Sequence, residues 1–177
     1  MLANLPTLHT ARLTLRPFVL QDADTVRALA GDYTVYRMTA NLPHPYEEGM
    51  AERWIATHAH EFYSAGHIVL AITHQQTAAL MGCVGLVHKP QYQQAELGYW
   101  IGVPFWGQGY VTEAVQAVMH YGFEVMQLHK IKARHLAINP ASGRVMQKAG
   151  MQYEATLRDD IFKDGSFHDV MIYGAWQ

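Results

Sequence analysis

The feature that most constrains this chain is a change of pattern within residues 95–124. The apolar and aromatic run Leu97–Val103 is typical of a strand, and Pro104 ends it. The turn Trp106–Gly109 follows, and helical periodicity begins at about Val111. Val111, Val115, Val118 and Gly122 fall on one face of this helix, which is predicted to be its inner face. Glycines let the backbone approach an anion, and the first N–H groups of a helix have no intrahelical partner. Strand, glycine turn and helix in this order predict either a phosphate-binding turn or a tight connection.

Two well-known phosphate-binding schemes do not fit this turn. A Walker loop needs Gly-Lys-Ser or Gly-Lys-Thr, and the chain contains neither. A dinucleotide fingerprint needs Gly or Ala three residues after Gly109, where Thr112 stands. It also needs an acidic residue roughly 20 residues later, where the chain has His129 and Lys130. A phosphorylated ligand would therefore be bound by another scheme.

Composition excludes several classes of protein. The 177 residues are half apolar, only 16% charged, and carry a net charge of −2, so no nucleic-acid surface is expected. The length predicts one domain, residues 1–177, that buries about 70% of its unfolded surface. No apolar run reaches the ~20 residues of a membrane span, and the N-terminus lacks a signal-peptide core. The lone Cys83 rules out an internal disulfide and indicates a reducing, cytoplasmic location.

The N-terminal third predicts one strand and two helices. Arg12–Arg16 alternates as a strand near a sheet edge does. Asp22 is a candidate N-cap for a short helix that ends at Ala30. The stretch Asp32–Pro45 is expected to be irregular, and a second helix is predicted over Glu47–Ala65. This helix–loop–helix could form a wall of a substrate pocket, and Asp32–Pro45 and the Lys163–Phe167 hairpin tip could together wall an open groove for an extended chain end.

The middle of the chain predicts an antiparallel meander followed by a parallel crossover. Ile68–Thr73, Met81–His88 and a third strand from about Gln94 are joined by short connections. After the central helix, Ile131–Ile138 is predicted to be a strand. Because that connection carries a helix, this strand should lie parallel to Leu97–Val103.

The C-terminal third predicts a capped helix and a hairpin. Asn139 is an N-cap candidate, Pro140 suits the first helical position, Ser142 lies in the first turn, and Gly150 ends the helix. The last predicted elements are the strands Tyr153–Phe162 and Phe167–Ala175, joined by the turn Asp164-Gly165. Two adjacent parallel strands that both lead into helices create a crevice for an extended phosphorylated ligand.

Few residues are candidates for chemistry. His58 and His60 point about 200° apart on one helix, and no Cys/His cluster has zinc spacing, so no metal is expected. Cys83 lies inside a strand, which argues against covalent catalysis. Glu96 shares a strand face with Trp100 and could be a general base, or an edge carboxylate paired with a cation. Tyr99 points to the opposite face and is expected to be a core residue.

Three segments together resemble a known family. ELGYWIGVPFWGQGYVTEA from Glu96, NPASGRVMQKAGM from Asn139 and RDDIFKDGSFHDVMIYGAW from Arg158 are similar to the GNAT superfamily of acyl-CoA N-acyltransferases, and most similar to its RimJ/RimL type of ribosomal-protein N-acetyltransferase. Pro104 stands where the family has Gln or Arg. The resemblance covers nearly the whole chain. It implies the α+β GNAT fold, with a mixed, mostly antiparallel sheet of about seven strands and about four helices.

The resemblance also implies a site. Acetyl-CoA would lie between the two splayed parallel strands, with no metal, and an amine would attack the thioester directly. Glu96 would be the base, and Ser142 would donate to the sulfur, although a serine in a first turn can instead satisfy a free amide. Asn139 would bond pantetheine, yet it would cap its helix regardless. The implied cofactor-binding residues are Ile101, Val103, Gly107, Gln108, Gly109, Tyr110, Asn139 and Ser142.

The expected function is N-acetyl transfer from acetyl-CoA to an amine through a ternary complex. The RimJ/RimL resemblance implies a protein N-terminal α-amine as acceptor, such as that of a ribosomal protein. Two alternatives stay open: acetylation of a free small amine, such as a polyamine or an antibiotic, and a non-catalytic CoA-binding sensor. Neither nucleic acid nor membrane is expected as a partner, and a homodimer is left open.

Overall fold

The structure is a computed structural model that describes residues 4–177. Within these residues it has eight strands and five α-helices. The strands are β1 Leu8–His9, β2 Leu13–Pro17, β3 Ile68–His74, β4 Leu80–Lys89, β5 Gln94–Ile101, β6 Lys130–Leu136, β7 Gln152–Lys163 and β8 Ser166–Trp176. The helices are α1 Ala23–Ala30, α2 Tyr33–Arg37, α3 Met50–Ala65, α4 Tyr110–Glu124 and α5 Pro140–Lys148.

All the described strands form one mixed sheet in the order β1-β2-β3-β4-β5-β6-β8-β7. The only parallel pair among them is β5 and β6, which α4 connects. The predicted α+β fold, the meander and the parallel crossover are therefore confirmed. The structure has one strand and one helix more than expected, namely the two-residue β1 and the five-residue α2.

Apolar side chains cover both faces of the sheet. The predicted inner face of α4 is confirmed, because Val111, Val115 and Val118 are all buried in the larger cluster. On the other face α1 and α3 pack over β3, β4 and β5, where Trp100 and Cys83 are buried. Complete burial raises the pKa of the Cys83 thiol, which therefore behaves as the small buried hydrophobe that was predicted.

The two parallel strands pair only over their first halves. Their register runs from Gln94 opposite Lys130 to Leu97 opposite Ala133. Beyond that point β5 stays paired with β4, and β6 stays paired with β8 up to its last residue. The strands therefore diverge within the sheet. Unlike a regular parallel ladder, this arrangement leaves a wedge-shaped opening between neighbours.

Two boundaries before the meander differ from prediction. The stretch Asp32–Pro45 is not wholly irregular, because it contains the five-residue helix α2. Asp32 Oδ1 caps this helix by accepting a hydrogen bond from Thr34 N at 2.7 Å. The next helix starts at Met50 rather than Glu47. Gly49, at φ +78°, is in the left-handed region and so cannot continue a helix backwards.

Two other local predictions, the end of β5 and the role of Asp22, differ from the structure. The strand expected to end at Val103 ends at Ile101, because Val103–Phe105 forms a 3-10 turn and Pro104 has no N–H to donate to a neighbouring strand. Asp22 does precede α1, but its carboxylate does not cap that helix. It accepts both guanidinium hydrogen bonds of Arg16, at 2.7 and 2.8 Å.

No helix within residues 4–177 is both long and apolar enough to cross a membrane.

Candidate active site

A cavity of about 1010 Å³ lies at the divergence of β5 and β6. It extends from the glycine turn at the start of α4, past the start of α5, to the stretch that joins α2 to α3. All nine residues predicted to form the site lie on its wall or in the turn beside it. Seven of the nine line it: Glu96, Ile101, Gly107, Gly109, Tyr110, Asn139 and Ser142.

 The other two, Val103 and Gln108, do not line the cavity themselves but lie next to residues that do.

The glycine turn leaves backbone amides free at the start of α4. Gly107 and Gly109 have φ of +74° and +80°, which side-chain-bearing residues rarely adopt. Gly109 is the N-cap of α4, and no side chain caps that helix end. A Cβ placed on Gly107 would meet no atom within 4 Å, so the space above the turn is open. Free amides beside open space at a helix N-terminus form an anion-binding cradle.

An ion pair that the sequence analysis missed holds this turn. Arg12 Nη1 donates to the carbonyl of Gln108 at 3.0 Å, and Arg12 Nε donates to Glu113 Oε2 at 2.7 Å. Thr10 Oγ1 donates to Glu113 Oε1 at 2.6 Å. Partial burial acts to raise the pKa of Glu113, but the hydrogen bonds from Thr10 and Arg12 outweigh it and lower that pKa. The start of β2 thus fixes the glycine turn to the first turn of α4.

Ser142 lies at the start of α5 and is bonded on both sides. Its N–H donates to Asn139 Oδ1 at 3.2 Å, which confirms the predicted N-cap. Its Oγ lies 2.7 Å from the hydroxyl oxygen of Tyr99, which also donates to the Ser142 carbonyl at 3.1 Å. Burial raises the pKa of Tyr99 to about 12, although its bond to Ser142 opposes the rise, so the hydroxyl keeps its proton at neutral pH.

Tyr99 was predicted to be a core residue, which describes its ring but not its hydroxyl group. Its ring packs against the larger apolar cluster, as expected of that strand face. Its hydroxyl, however, lies on the cavity wall beside Ser142, because the divergence of β5 and β6 opens the sheet at that point. Alternation along the strand predicted the face correctly but could not predict the opening.

Both ends of the Asn139 side chain are occupied. Besides the cap at Ser142, Asn139 Nδ2 donates to the carbonyl of Met38 at 2.9 Å. Met38 directly follows α2, so one amide side chain links the start of α5 to the opposite wall of the cavity. No local pattern predicts this contact, because the two residues are 101 positions apart.

Glu96 lines the cavity from the strand face opposite to Tyr99. Its Oε1 lies 2.9 Å from Arg134 Nε, and its Oε2 lies 3.6 Å from Lys89 Nζ. The side chain is 33% exposed. This is the cation pairing that the sequence analysis held as one alternative. A carboxylate has about four acceptor positions, so the pairing still leaves room for a donor from the cavity.

The remaining wall is the segment around α2, which the C-terminal hairpin holds in place. As predicted, the stretch between α1 and α3 lines the cavity. Lys163 Nζ donates to the carbonyls of Tyr36 and Thr39 at 2.7 and 2.6 Å and lies 3.6 Å from the centre of the Tyr36 ring. Burial lowers the pKa of Lys163, although Asp164 opposes this. The predicted hairpin is confirmed, with Asp164 and Gly165 both at positive φ.

His58 and His60 stand apart from this site. His58 is buried against the rings of Phe18 and Trp54, and neither of its ring nitrogens has a hydrogen-bond partner. Burial lowers the pKa of His58 to about 4, so the ring is neutral at physiological pH. His60 on the same helix is exposed. Within residues 4–177 no group of three or more His, Cys, Asp or Glu side chains is placed to hold a metal ion.

Comparison with known proteins identifies the family. Residues 12–152 match the acetyltransferase (GNAT) domain. The uncharacterized N-acetyltransferase YoaA of Bacillus subtilis is 31% identical over 169 residues, which cover 95% of each chain. The ribosomal-protein-serine acetyltransferase of Escherichia coli is 29% identical over 85 residues, which cover 48% of each chain.

Solved structures agree on the fold. A GNAT-family acetyltransferase from Bacillus anthracis superposes with a TM-score of 0.85 at 23% identity, over 97% of this chain and 98% of that one. The microcin C7 self-immunity acetyltransferase MccE, solved with acetyl-CoA and AMP, gives a TM-score of 0.85 at 18% identity, over 95% and 94% of the two chains. With the match over residues 12–152, this chain belongs to the GNAT family of acetyl-CoA-dependent N-acetyltransferases.

Proposed function

We propose that residues 1–177 form a single GNAT domain that acetylates the α-amine of a protein N-terminus in the cytoplasm, as the RimJ/RimL type does. The observation that carries the proposal is that one cavity is lined by Glu96 on one face of β5 and by the Tyr99–Ser142 pair on the other. A base for the amine and a proton donor for a leaving group thus border the same space. The similarity to the Escherichia coli ribosomal-protein-serine acetyltransferase supports a protein acceptor.

The cradle and the wedge between the strands fit the cofactor. When bound, acetyl-CoA supplies an activated acyl carbonyl and a thiolate leaving group. The amides of Gly107 to Tyr110, including Gln108 and Gly109, would hold the pyrophosphate, since they are free and face open space. The backbone near Ile101 and Val103, beyond the last pairing of β5 with β6, would hold the pantetheine arm.

Asn139 contributes by placement in this proposal. Because both ends of its side chain are bonded, it positions Ser142 and the carbonyl of Met38 rather than binding the cofactor through its amide.

Glu96 would take the proton of the attacking amine, directly or through one water molecule. Attack requires a neutral amine. An α-amino group, with a pKa of about 7.7–8.0, is neutral in roughly a tenth to a sixth of molecules at pH 7, whereas a lysine at about 10.4 is neutral in only ~0.04%. A site with one carboxylate base therefore favours the α-amine.

Ser142 would donate a hydrogen bond to the departing sulfur and so stabilise its developing negative charge. Tyr99 holds its own proton at neutral pH, because its pKa is about 12. Tyr99 has one hydroxyl proton, which can bond either the Ser142 carbonyl or Ser142 Oγ. In the second arrangement, across 2.7 Å, the hydroxyl proton of Ser142 is free to point into the cavity. Tyr99 is then a positioning residue, and Ser142 is the group that touches the reacting atoms.

The test uses two matched peptides. One has a free N-terminus and no lysine, and the other has a blocked N-terminus and one free lysine. We expect faster acetylation of the first, measured as thiol release and located by mass spectrometry. Exclusive lysine acetylation, or activity only on small free amines, would overturn the protein N-terminus as acceptor while leaving acetyl transfer itself intact.

A further inference from the structure

The cavity wall has an unequal balance of charge. Among residues 4–177, Glu96 is the only acidic side chain that lines the cavity. Four basic side chains line it: Arg53, Arg134, Arg144 and Lys148. A ligand that enters this space therefore meets a positive environment.

Two of these cations belong to the cofactor side. Arg144 and Lys148 lie on α5, which packs beside α4 and its glycine turn. Gln116 on α4 donates to the carbonyl of Lys148 at 3.1 Å, which places the end of α5 next to that helix. In the proposed mode of cofactor binding, these two cations would lie on the side of the phosphates.

The other two cations lie on the acceptor side. Arg53 is on α3 and is exposed, and it forms no ion pair with any residue that the structure describes. Arg134 is on β6 and is paired with Glu96, which also contacts Lys89. The one carboxylate on this side is therefore already shared between two cations. The guanidinium of Arg53 has no such partner.

From this balance we infer that the acceptor carries an anionic group close to its amine, bound by Arg53, and that polycationic amines are poor acceptors. The inference rests on the proposed function and names its substrate class: a peptide N-terminus followed by acidic residues. A guanidinium binds a carboxylate through two parallel hydrogen bonds. A polyamine would instead bring several positive charges beside two arginines without an unpaired carboxylate to receive them.

The test compares peptides that share one N-terminal residue and differ at the next two positions, which are Glu-Glu, Gln-Gln or Arg-Arg. None contains a lysine. We expect kcat/KM to be about 3- to 10-fold higher for Glu-Glu than for Gln-Gln, lowest for Arg-Arg, and the difference to shrink with salt, as for a partly exposed ion pair. Arg53→Gln should remove most of the difference between Glu-Glu and Gln-Gln, and Arg53→Glu should reverse the order of Glu-Glu and Arg-Arg.

The control is Arg158→Gln, which changes an exposed arginine of β7 that does not line the cavity. It should keep the wild-type order. Equal kcat/KM for all three peptides, or an effect of Arg158→Gln as large as that of Arg53→Gln, would overturn the inference and leave the proposed function standing.

Free glutamate, glutamine and spermidine extend the test to small amines. If no peptide is acetylated at its α-amine, the proposed function fails. In that case a preference for glutamate would still support an anionic acceptor, whereas spermidine as the best substrate would overturn the inference as well.

Discussion

Replacing Asn139 tests whether its side chain serves the structure or the cofactor. In the wild type, Asn139 Oδ1 accepts from Ser142 N, and Nδ2 donates to the Met38 carbonyl. Asn139→Ala removes both bonds. Asn139→Asp keeps the accepting oxygen but loses the donor, and it places a carboxylate next to the Met38 carbonyl.

The expected cost follows from these two bonds. Loss of an N-cap costs about 1 kcal/mol. Loss of the second bond leaves the Met38 carbonyl without its donor, at about 1 kcal/mol more. Asn139→Ala should therefore lower the free energy of unfolding by about 2 kcal/mol, which is a fall in Tm of about 4–8 °C for a chain of this size. Asn139→Asp should lose about half as much, because an anion at a helix N-terminus is favourable.

Chemical denaturation gives the free energies, and calorimetry gives the affinity for CoA. The matched control is Asp32→Ala, which removes one N-cap from α2 and should cost about 1 kcal/mol without touching Met38. If Asn139→Ala were within about 0.5 kcal/mol of wild type but bound CoA much more weakly, the side chain would serve the cofactor and the placement role would be wrong.

Three further predictions address the cofactor, the base and the core. Gly109→Val should weaken CoA binding by several kcal/mol in calorimetry, because each charge-assisted hydrogen bond lost costs roughly 1.5–3 kcal/mol. Unchanged affinity in a folded variant would contradict the assignment of this turn as the pyrophosphate site. Glu96→Gln should lower kcat by roughly 10²–10⁴ with CoA affinity nearly intact, whereas Glu124→Gln, on the exposed end of α4, should leave kcat unchanged. Because the pKa of His58 is lowered to about 4, the unfolded chain binds more protons than the folded one between pH 6.5 and 4, and wild-type stability falls as the pH drops across that window. His58→Leu should remove about 3 kcal/mol of this loss, measured by denaturation at each pH, whereas His60→Gln should not. Parallel pH profiles of wild type and His58→Leu would refute the assignment.

Local chemistry explains which elements the sequence predicted well. Gly66 ends α3 at φ +72°, and Asp164-Gly165 makes the last hairpin turn, as those residue types favour. The amphipathic pattern placed the buried face of α4 correctly. By contrast, α2 is only five residues long, which is too short for a helical period to be visible.

The contacts that complete the site depend on residues far apart in the chain. Arg12 and Glu113 are 101 positions apart, and neither carries a local signal of the other. Lys163 was expected only to adjoin a groove, yet it is bonded to two carbonyls near α2. Such pairs are set by how helices dock on the sheet, and single-sequence periodicity contains no information about docking.

Main-chain oxygens anchor the wall formed by α2 and its flanks, beside the ring of Tyr36, which lies against Lys163. Asn139 and Lys163 bond the carbonyls of Tyr36, Met38 and Thr39, and every residue type supplies the same carbonyl. Exposed side chains of this segment that make no such contact can therefore be exchanged while these carbonyl bonds are kept. Acceptor preference can diverge by substitution here while acyl-donor binding stays constant, so the segment is a suitable place for a library in directed evolution.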